Sequence, residues 1–402
     1  MSEELKKRLE NNIVKMYFSG AVGSTNFNLV VYTLFILSKG FGMRDFFIFE
    51  SAYALASLIA QIPTGTFADK FGRKNSIIIS TLINIPAILM IILSRDFTII
   101  FLAMFIGGVG SSFYNGAGTA MMYDTVKSLG REDEYKKIIG RGDLFYSIAA
   151  AVGAIIGGWL AHFNYAYAWW AYFATQLPML ITDFSLIEPP VHEEQKLSWR
   201  GHLKESIWQS FRGDAAYFIM YSAVITIFFA LGYWLWQPYL KSINISVVYF
   251  GFVYAAVNVI GGIVSSQAHK IEKKIGILMS LMLAPILLAV AFIFQSQQFV
   301  VWGVILIFVH SIISGYKGPV LDDYLNSRIP SAQRATVLSV EYMIHDGIFI
   351  VTSPLLGSLV DLYSLKTAYL LMAGILLIVT FIFWLAFRKQ KVSSDPILVK
   401  NS

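Results

Sequence analysis

Among the ionisable side chains within long apolar stretches of this 402-residue sequence, five are candidate working sites, because a charge there is costly unless it faces a cavity or a partner. They are Glu50, His310, Glu341, His345 and Asp346. Carboxyl and imidazole groups in such surroundings can exchange protons, so these residues are the candidates for proton coupling. Asp346 is the first candidate, because its depth keeps it from water at either end of its segment. Glu50 is the second, since near the end of a segment it can also extend to the surface or pair with Arg44.

A polar decapeptide at residues 65–74, GTFADKFGRK, separates two of the apolar stretches and is called the loop motif below. Gly72 permits a tight turn, and Gly65 lets the backbone approach a neighbouring helix one turn before Asp69. A carboxylate at the position of Asp69 suits a helix N-terminus, whose unpaired amides attract an anion. Three positive charges suit anionic headgroups, at Lys70, Arg73 and Lys74. The alternative is an ordinary basic loop at a membrane surface.

The elements that carry these residues are apolar helices. With 56% hydrophobic and 14% charged residues, the chain is too apolar for a soluble domain and is predicted to be an all-α, polytopic membrane protein. Twelve apolar runs are each long enough to cross about 30 Å of hydrocarbon as a helix. These spans cover residues 15–38, 45–68, 74–94, 97–123, 139–161, 165–187, 214–238, 246–268, 275–295, 299–324, 335–360 and 366–387.

The distribution of positive charge predicts the orientation. If the N-terminus is inside, 25 of the 31 Lys and Arg residues fall in cytoplasmic segments, so both termini are expected in the cytoplasm and the protein in the cell (inner) membrane. The net charge of +6 is spread over many short loops, which fits membrane topology better than nucleic-acid binding. The N-terminal segment has no cleavable signal pattern. The absence of cysteine excludes disulfides and thiolate metal sites.

The chain is predicted to contain two related halves, residues 1–187 and 214–402, joined by a cytoplasmic linker at 188–213. At an offset of 200 residues, the end of the loop motif falls on His269 to Lys274 and keeps its basic positions, and Pro86 falls close to Pro285. The linker either carries an interfacial amphipathic helix, with Leu203, Ile207 and Phe211 on one face, or is a disordered connection.

The loop motif resembles the signature of the major facilitator superfamily, Gly-x-x-x-Asp-Arg/Lys-x-Gly-Arg/Lys-Arg/Lys, at every defined position, and it lies between the second and third spans as in that family. The resemblance implies two six-helix bundles around a central cavity, with alternating access by rocking of the halves. It also implies a conformational lock. In this lock Asp69 contacts the N-terminus of helix eleven, here at Pro330 and Ser331, and Arg73 pairs with Asp124. Arg141 is a further candidate for the lock, with a local ion pair to Asp143 as the alternative.

Antiporters of the family often carry Gly-x-x-x-Gly-Pro-x-x-Gly-Gly in the fifth span. This sequence has small residues at the matching positions but no proline, at Ala149, Gly153, Ala154, Gly157 and Gly158. These residues permit close helix packing. Spans one, four, seven and ten line the cavity in the family, and polar or aromatic residues at membrane depth are candidates to line it here. They are Asn26, Tyr114, Asn115, Tyr221, Trp234, Gln237, Asn258 and His310.

These observations predict a secondary active transporter, resembling the twelve-helix drug/proton antiporter branch. The first interpretation is proton-coupled efflux of lipophilic or amphipathic small molecules. The second is an uptake symporter for a small metabolite or organic anion, with His310 or Lys317 as counter-charge. A polytopic membrane enzyme lacks support, because the sequence has no nucleophile–base set, zinc-ligand spacing or phosphate loop. The expected partners are a small-molecule substrate, protons and lipid; no cofactor, metal or nucleic acid is expected, and the protein is expected to be a monomer.

Overall fold

A computed structural model describes residues 2–190, 213–297, 300–328 and 334–389, and over these ranges the chain is helical, with short turns and no strand. We number thirteen α-helices in chain order. They are α1 Glu3–Ser24, α2 Tyr32–Ser38, α3 Met43–Phe71, α4 Arg73–Leu93, α5 Phe97–Ser128, α6 Tyr135–Phe163, α7 Tyr165–Ser185, α8 Gly213–Ser242, α9 Phe250–Ile275, α10 Ile277–Gln295, α11 Val300–Arg328, α12 Arg334–Leu362 and α13 Leu365–Lys389.

The helices follow the predicted spans, and nine stretches within the described residues are long and apolar enough to cross a bilayer. The first span differs from the prediction of one helix over residues 15–38. The helix α1 ends at Ser24, residues 25–28 leave the helical path, and a 3₁₀ turn at Leu29–Val31 leads into α2. Asn26 has φ +33°, which Asn tolerates better than most residues. The first span is therefore a broken helix.

The break packs on the small residues of α6. A Cβ atom on Gly153 would lie 1.7 Å from the carbonyl oxygen of Thr25, and one on Gly157 would lie 2.1 Å from that of Phe27. Only glycine leaves room for the irregular backbone at these two positions. The predicted close packing of the fifth span is therefore present, and α6 makes it with the break in the first span.

Two turns between consecutive helices support the predicted repeat. Gly72, between α3 and α4, has φ +97°, and Gly276, between α9 and α10, has φ +76°. Pro86 lies inside α4 and Pro285 inside α10. The segment from His269 to Lys274 differs from its counterpart, because it continues α9 as helix and leaves the turn to Gly276.

The contacts between Cα atoms divide the chain into two compact units. Unit 1 contains α1 to α7 together with the segments Leu240–Asn258 and Asp346–Leu362, and unit 2 contains the remaining described residues. The division into two six-helix halves along the chain stays a prediction. Residues 191–212 lie outside the described ranges, and with them most of the predicted linker.

Candidate functional site

The loop motif lies where α3 turns into α4. Asp69 is in the last turn of α3, and Arg73 is the first residue of α4. The Arg73 guanidinium forms an ion pair with the Asp69 carboxylate, and its Nε atom lies 3.7 Å from Oδ2 of Asp124 in α5. The Asp69 side chain is 68% exposed, whereas those of Arg73 and Asp124 are 20% and 19% exposed. Arg73 thus bridges two acids, one of which remains open to further partners.

A third acid at this site, Glu188, escaped the sequence analysis. Its two carboxylate oxygens accept hydrogen bonds from the backbone N–H groups of Arg73 (2.6 Å) and Lys74 (2.8 Å). A Cβ atom on Gly72 would lie 2.8 Å from the Glu188 carboxyl carbon, so glycine is needed both for the turn and for the approach of this carboxylate. Glu188 therefore caps the N-terminus of α4, where unpaired amides and the helix dipole favour an anion.

The position of Glu188 is set by contacts between α1 and the end of α7. The Asn12 side chain donates to the carbonyl oxygen of Ile187 (2.7 Å) and accepts from its N–H group (3.1 Å). Lys15 donates to the carbonyl oxygen of Ser185 (2.6 Å). The chain that leaves α7 is thereby held against α1, which presents Glu188 to α4.

Other predicted members of the lock have different surroundings. Among the described residues, no atom lies within 4 Å of a Cβ atom built on Gly65, so the close approach predicted there is not made by this part of the chain. The ammonium group of Lys70 lies 5.2 Å from the centroid of the Phe71 ring. Arg141 is exposed, and the described residues include no ion pair between it and Asp143. The predicted contact of Asp69 with Pro330 and Ser331 falls outside the described residues.

Glu50 lies in α3 with only 9% of its surface exposed. Its carboxylate accepts a hydrogen bond from the Tyr32 hydroxyl, and the Tyr32 ring packs against Phe46 and Trp169 at centroid distances of 5.3 and 5.4 Å. The alternative pairing of Glu50 with Arg44 is wrong, because the carboxylate is buried among these rings. The break in the first span starts α2 at Tyr32, which places the hydroxyl beside Glu50.

Asp183 in α7 is a second buried acid, which was not among the candidates predicted from the sequence. Its side chain accepts hydrogen bonds from the hydroxyl groups of Ser19 (3.1 Å) in α1 and Thr81 (2.7 Å) in α4, and the residue is 1% exposed. Its place near the end of an apolar run was the only available signal. Asp183 joins three helices of unit 1.

The C-terminal coupling candidates lie on α11 and α12. His310 is buried beside the rings of Phe292 and Phe229, at centroid distances of 5.3 and 6.4 Å, and its Nε2 atom has no hydrogen-bond partner among the described residues. Lys317 donates a hydrogen bond to Thr226 of α8. The other three candidates are half-buried along α12, at Glu341, His345 and Asp346.

Apart from His310, described above, the candidates for lining a cavity fall into two groups. Four are accessible: Tyr114 and Asn115 are exposed on α5, Asn258 is exposed on α9, and Asn26 lies in the break of the first span. The other three have buried or half-buried side chains. Tyr221 is buried, donates to the carbonyl oxygen of Leu281 and packs on Phe383; Gln237 is buried; and Trp234 is half-buried against Tyr233. In this structure neither the Tyr221 nor the Gln237 side chain is accessible, and their cavity-lining role stays a prediction.

A family model for the Major Facilitator Superfamily matches residues 16–347. An uncharacterized MFS-type transporter of Bacillus subtilis, YxaM, is 22% identical over 360 residues, which cover 87% of this chain and 88% of that protein. Multidrug resistance protein 2 of Bacillus subtilis is 28% identical over 158 residues, 39% of this chain and 38% of that protein.

Among solved structures, the nucleoside transporter NupG superposes with a TM-score of 0.81 at 15% identity. The match covers 94% of this chain and 99% of that one. At this identity the likeness shows a shared fold.

Proposed function

Because this chain belongs to the major facilitator superfamily, and is thus an integral membrane transporter and not an enzyme, we propose that it exports lipophilic or amphipathic small molecules in exchange for protons. Transport proceeds by alternating access of a central site to the two sides of the membrane. The similarity to Multidrug resistance protein 2 supports export and the substrate class. The distribution of Lys and Arg supports placement in the cell membrane, with the loop motif and both termini in the cytoplasm. The protein works as a monomer.

The observation that carries the proposal is the surroundings of Glu50. Its carboxyl group is buried, has the hydroxyl of Tyr32 as a hydrogen-bond partner, and forms no ion pair with any basic side chain of the described residues. A carboxyl group that lacks a counter-charge can gain or lose a proton without breaking a salt bridge. Glu50 is therefore the first candidate for coupling, and half-buried Asp346 is the second.

The test uses proteoliposomes with an imposed pH gradient and ethidium as the transported probe. We expect Glu50→Gln to abolish gradient-driven ethidium transport and to retain ethidium exchange at equal pH, because the amide keeps the shape of the side chain and cannot be deprotonated. The matched control is Glu134→Gln, an exposed acid that pairs with Arg131 within its own turn. Full gradient-driven transport by Glu50→Gln would exclude it as the coupling group, and Asp346→Asn in the same assay then tests the second candidate.

The direction of transport is tested in cells. Cells that make the protein are expected to lose preloaded ethidium faster than cells that do not. A thermal-shift screen of the purified protein against drug and metabolite panels tests the substrate class, since a ligand that binds the folded state raises the unfolding temperature. Stabilisation by small anionic metabolites alone, together with their accumulation in cells, would favour the uptake symporter over the exporter.

A further inference from the structure

Asp361 lies in the last turn of α12 and contacts the first turn of α3. Its carboxylate oxygens accept hydrogen bonds from the backbone N–H groups of Met43 and Arg44, both at 2.8 Å. These are the first two residues of α3, whose amides have no partner within their own helix. The carboxylate therefore joins two helices that are more than 300 residues apart in the chain.

The backbone around this contact leaves space for the carboxylate only because it is glycine. A Cβ atom on Gly42 would lie 2.4 Å from Oδ2 of Asp361. One turn before Asp361, a Cβ atom on Gly357 would lie 2.5 Å from the carbonyl oxygen of Met43. Further along the same pair of helices, the hydroxyl groups of Ser51 and Ser353 lie 3.2 Å apart. The two helices thus pack closely from the contact of Asp361 with Met43 to that of Ser353 with Ser51.

Asp361 and Asp45 bind different amides at the start of α3. Asp45, in the first turn of that helix, accepts a hydrogen bond from the N–H group of Gly42 (3.3 Å) as a local cap, whereas Asp361 accepts from those of Met43 and Arg44. The helix carries two carboxylates at one N-terminus, of which only Asp361 comes from another helix. Its contribution beyond the local cap is to hold the end of α12 against α3.

We propose that Asp361 is a positioning residue for transport. It acts as a latch that holds the last turn of α12 against the first turn of α3; this end of the two helices, opposite the loop motif, is called the far end. The inference rests on the proposed alternating-access function, in which this end must open for substrate to pass. The loop motif places Asp69 at the other end of α3, and the family resemblance directs that acid to the N-terminus of helix eleven, which is α12. In the lock that the resemblance implies, each of these two helices offers a carboxylate to the N-terminus of the other, at opposite ends, and each carboxylate stabilises closure of its own end.

The test measures how often the far end opens. Ser353 is fully buried beside Ser51, and the chain has no native cysteine, so a maleimide reacts with Ser353→Cys in the purified full-length protein only when the two helices separate. Removing the charge in Asp361→Asn is expected to raise the labelling rate about threefold to tenfold, as loss of a charge-assisted hydrogen bond at a helix terminus implies. Gly42→Ala is expected to do the same without removing the charge, because its methyl group displaces the carboxylate.

The matched control is Asp45→Asn, which removes a charge from the same helix terminus and leaves the contact between helices intact. Its labelling rate is expected to stay within about twofold of the parent rate, since a local cap changes helix stability and not closure. Ser80→Cys, buried in α4, reports general loosening and is expected to label at an unchanged rate in every variant.

The latch is overturned if Asp361→Asn and Gly42→Ala both leave the labelling of Ser353→Cys unchanged, or if labelling of Ser80→Cys rises equally. Ethidium transport by the parent protein is measured in the same preparation. Faster labelling in Asp361→Asn without any ethidium transport by the parent would retain the latch and remove the proposed function. Transport with unchanged labelling would retain the function and remove the latch.

Discussion

Acidic side chains in unit 1 bind backbone amides and hydroxyl groups as well as cations. Glu188 binds the N–H groups of Arg73 and Lys74, and Asp183 binds the hydroxyl groups of Ser19 and Thr81. A carboxylate inside or close to the hydrocarbon layer needs hydrogen-bond donors to replace water. Helix N-termini and hydroxyl groups provide these donors without adding a second charge. Each of these acids therefore joins separate helices, and removing one leaves donors unpaired.

The cap on α4 can be tested through Glu188. We expect Glu188→Gln to destabilise the protein by about 1–2 kcal/mol, because the amide retains one acceptor oxygen and turns an NH₂ group toward a backbone donor. The measurement is thermal unfolding of the purified protein, read as a lower midpoint temperature. Glu134→Gln is the control, since that exposed acid pairs only within its own turn, and it is expected to leave the midpoint unchanged. Equal midpoints for the two variants would show that the cap adds nothing to stability.

At the scale of the helix, the glycines of α6 allow the first span to break. Thr25 and Phe27 lie with their carbonyl oxygens against Gly153 and Gly157, where any side chain would overlap them. The break starts α2 at Tyr32 and brings its hydroxyl to Glu50. A packing feature of one helix thus determines the surroundings of a proposed coupling group on another.

Two glycine substitutions in α6 distinguish the effect of this packing on stability from the effect of helix propensity. Gly153→Ala is expected to destabilise the protein by about 1–3 kcal/mol, because the new methyl group lies 1.7 Å from the Thr25 oxygen and forces the backbones apart. Gly140→Ala, in the same helix, has no neighbour within 4 Å among the described residues and is expected to stabilise by about 0.5–1 kcal/mol. Chemical or thermal unfolding of both variants provides the comparison, and a loss of stability of similar size in both would contradict the packing account.

At the scale of the whole molecule, α3 connects the two ends that the proposed alternating access must open and close in turn. It begins at Met43, which Asp361 contacts, and ends within the loop motif, where Asp69 pairs with Arg73. Within the proposed mechanism only one end is closed at a time, so the two acids act in opposition. Weakening one is therefore expected to favour closure at the other end.

Asp69→Asn is expected to lower the labelling rate of Ser353→Cys severalfold. In the proposed lock, the contact of this charge with the N-terminus of helix eleven is worth about 0.3–2 kcal/mol, and its loss shifts the equilibrium toward closure of the far end. The sign is opposite to that of Asp361→Asn, and the double variant is expected to return toward the parent rate. Asp133→Asn, an exposed acid in the loop before α6, is the charge-matched control. A rise or no change in Asp69→Asn would contradict the proposed lock.

The sequence by itself determined the features that depend on short-range properties. Span positions follow from hydropathy and length, and the turn at Gly72 follows from a residue type that tolerates φ +97°. The family resemblance implies a pairing of Arg73 with Asp124, and the Nε atom of Arg73 lies 3.7 Å from Oδ2 of Asp124. These features were predictable because each resides in a few consecutive residues or in a recognisable pattern of them.

Only the tertiary structure decided which distant groups meet. Glu188 lies 115 residues from Arg73, Asp361 lies 318 residues from Met43, and the break in an apolar segment depends on glycines in another helix. Hydropathy marks all these segments as apolar but does not specify which faces pack together. The pairing of a carboxylate with a helix N-terminus depends on where two helix ends arrive in space, and that is fixed by side-chain packing summed over the whole bundle.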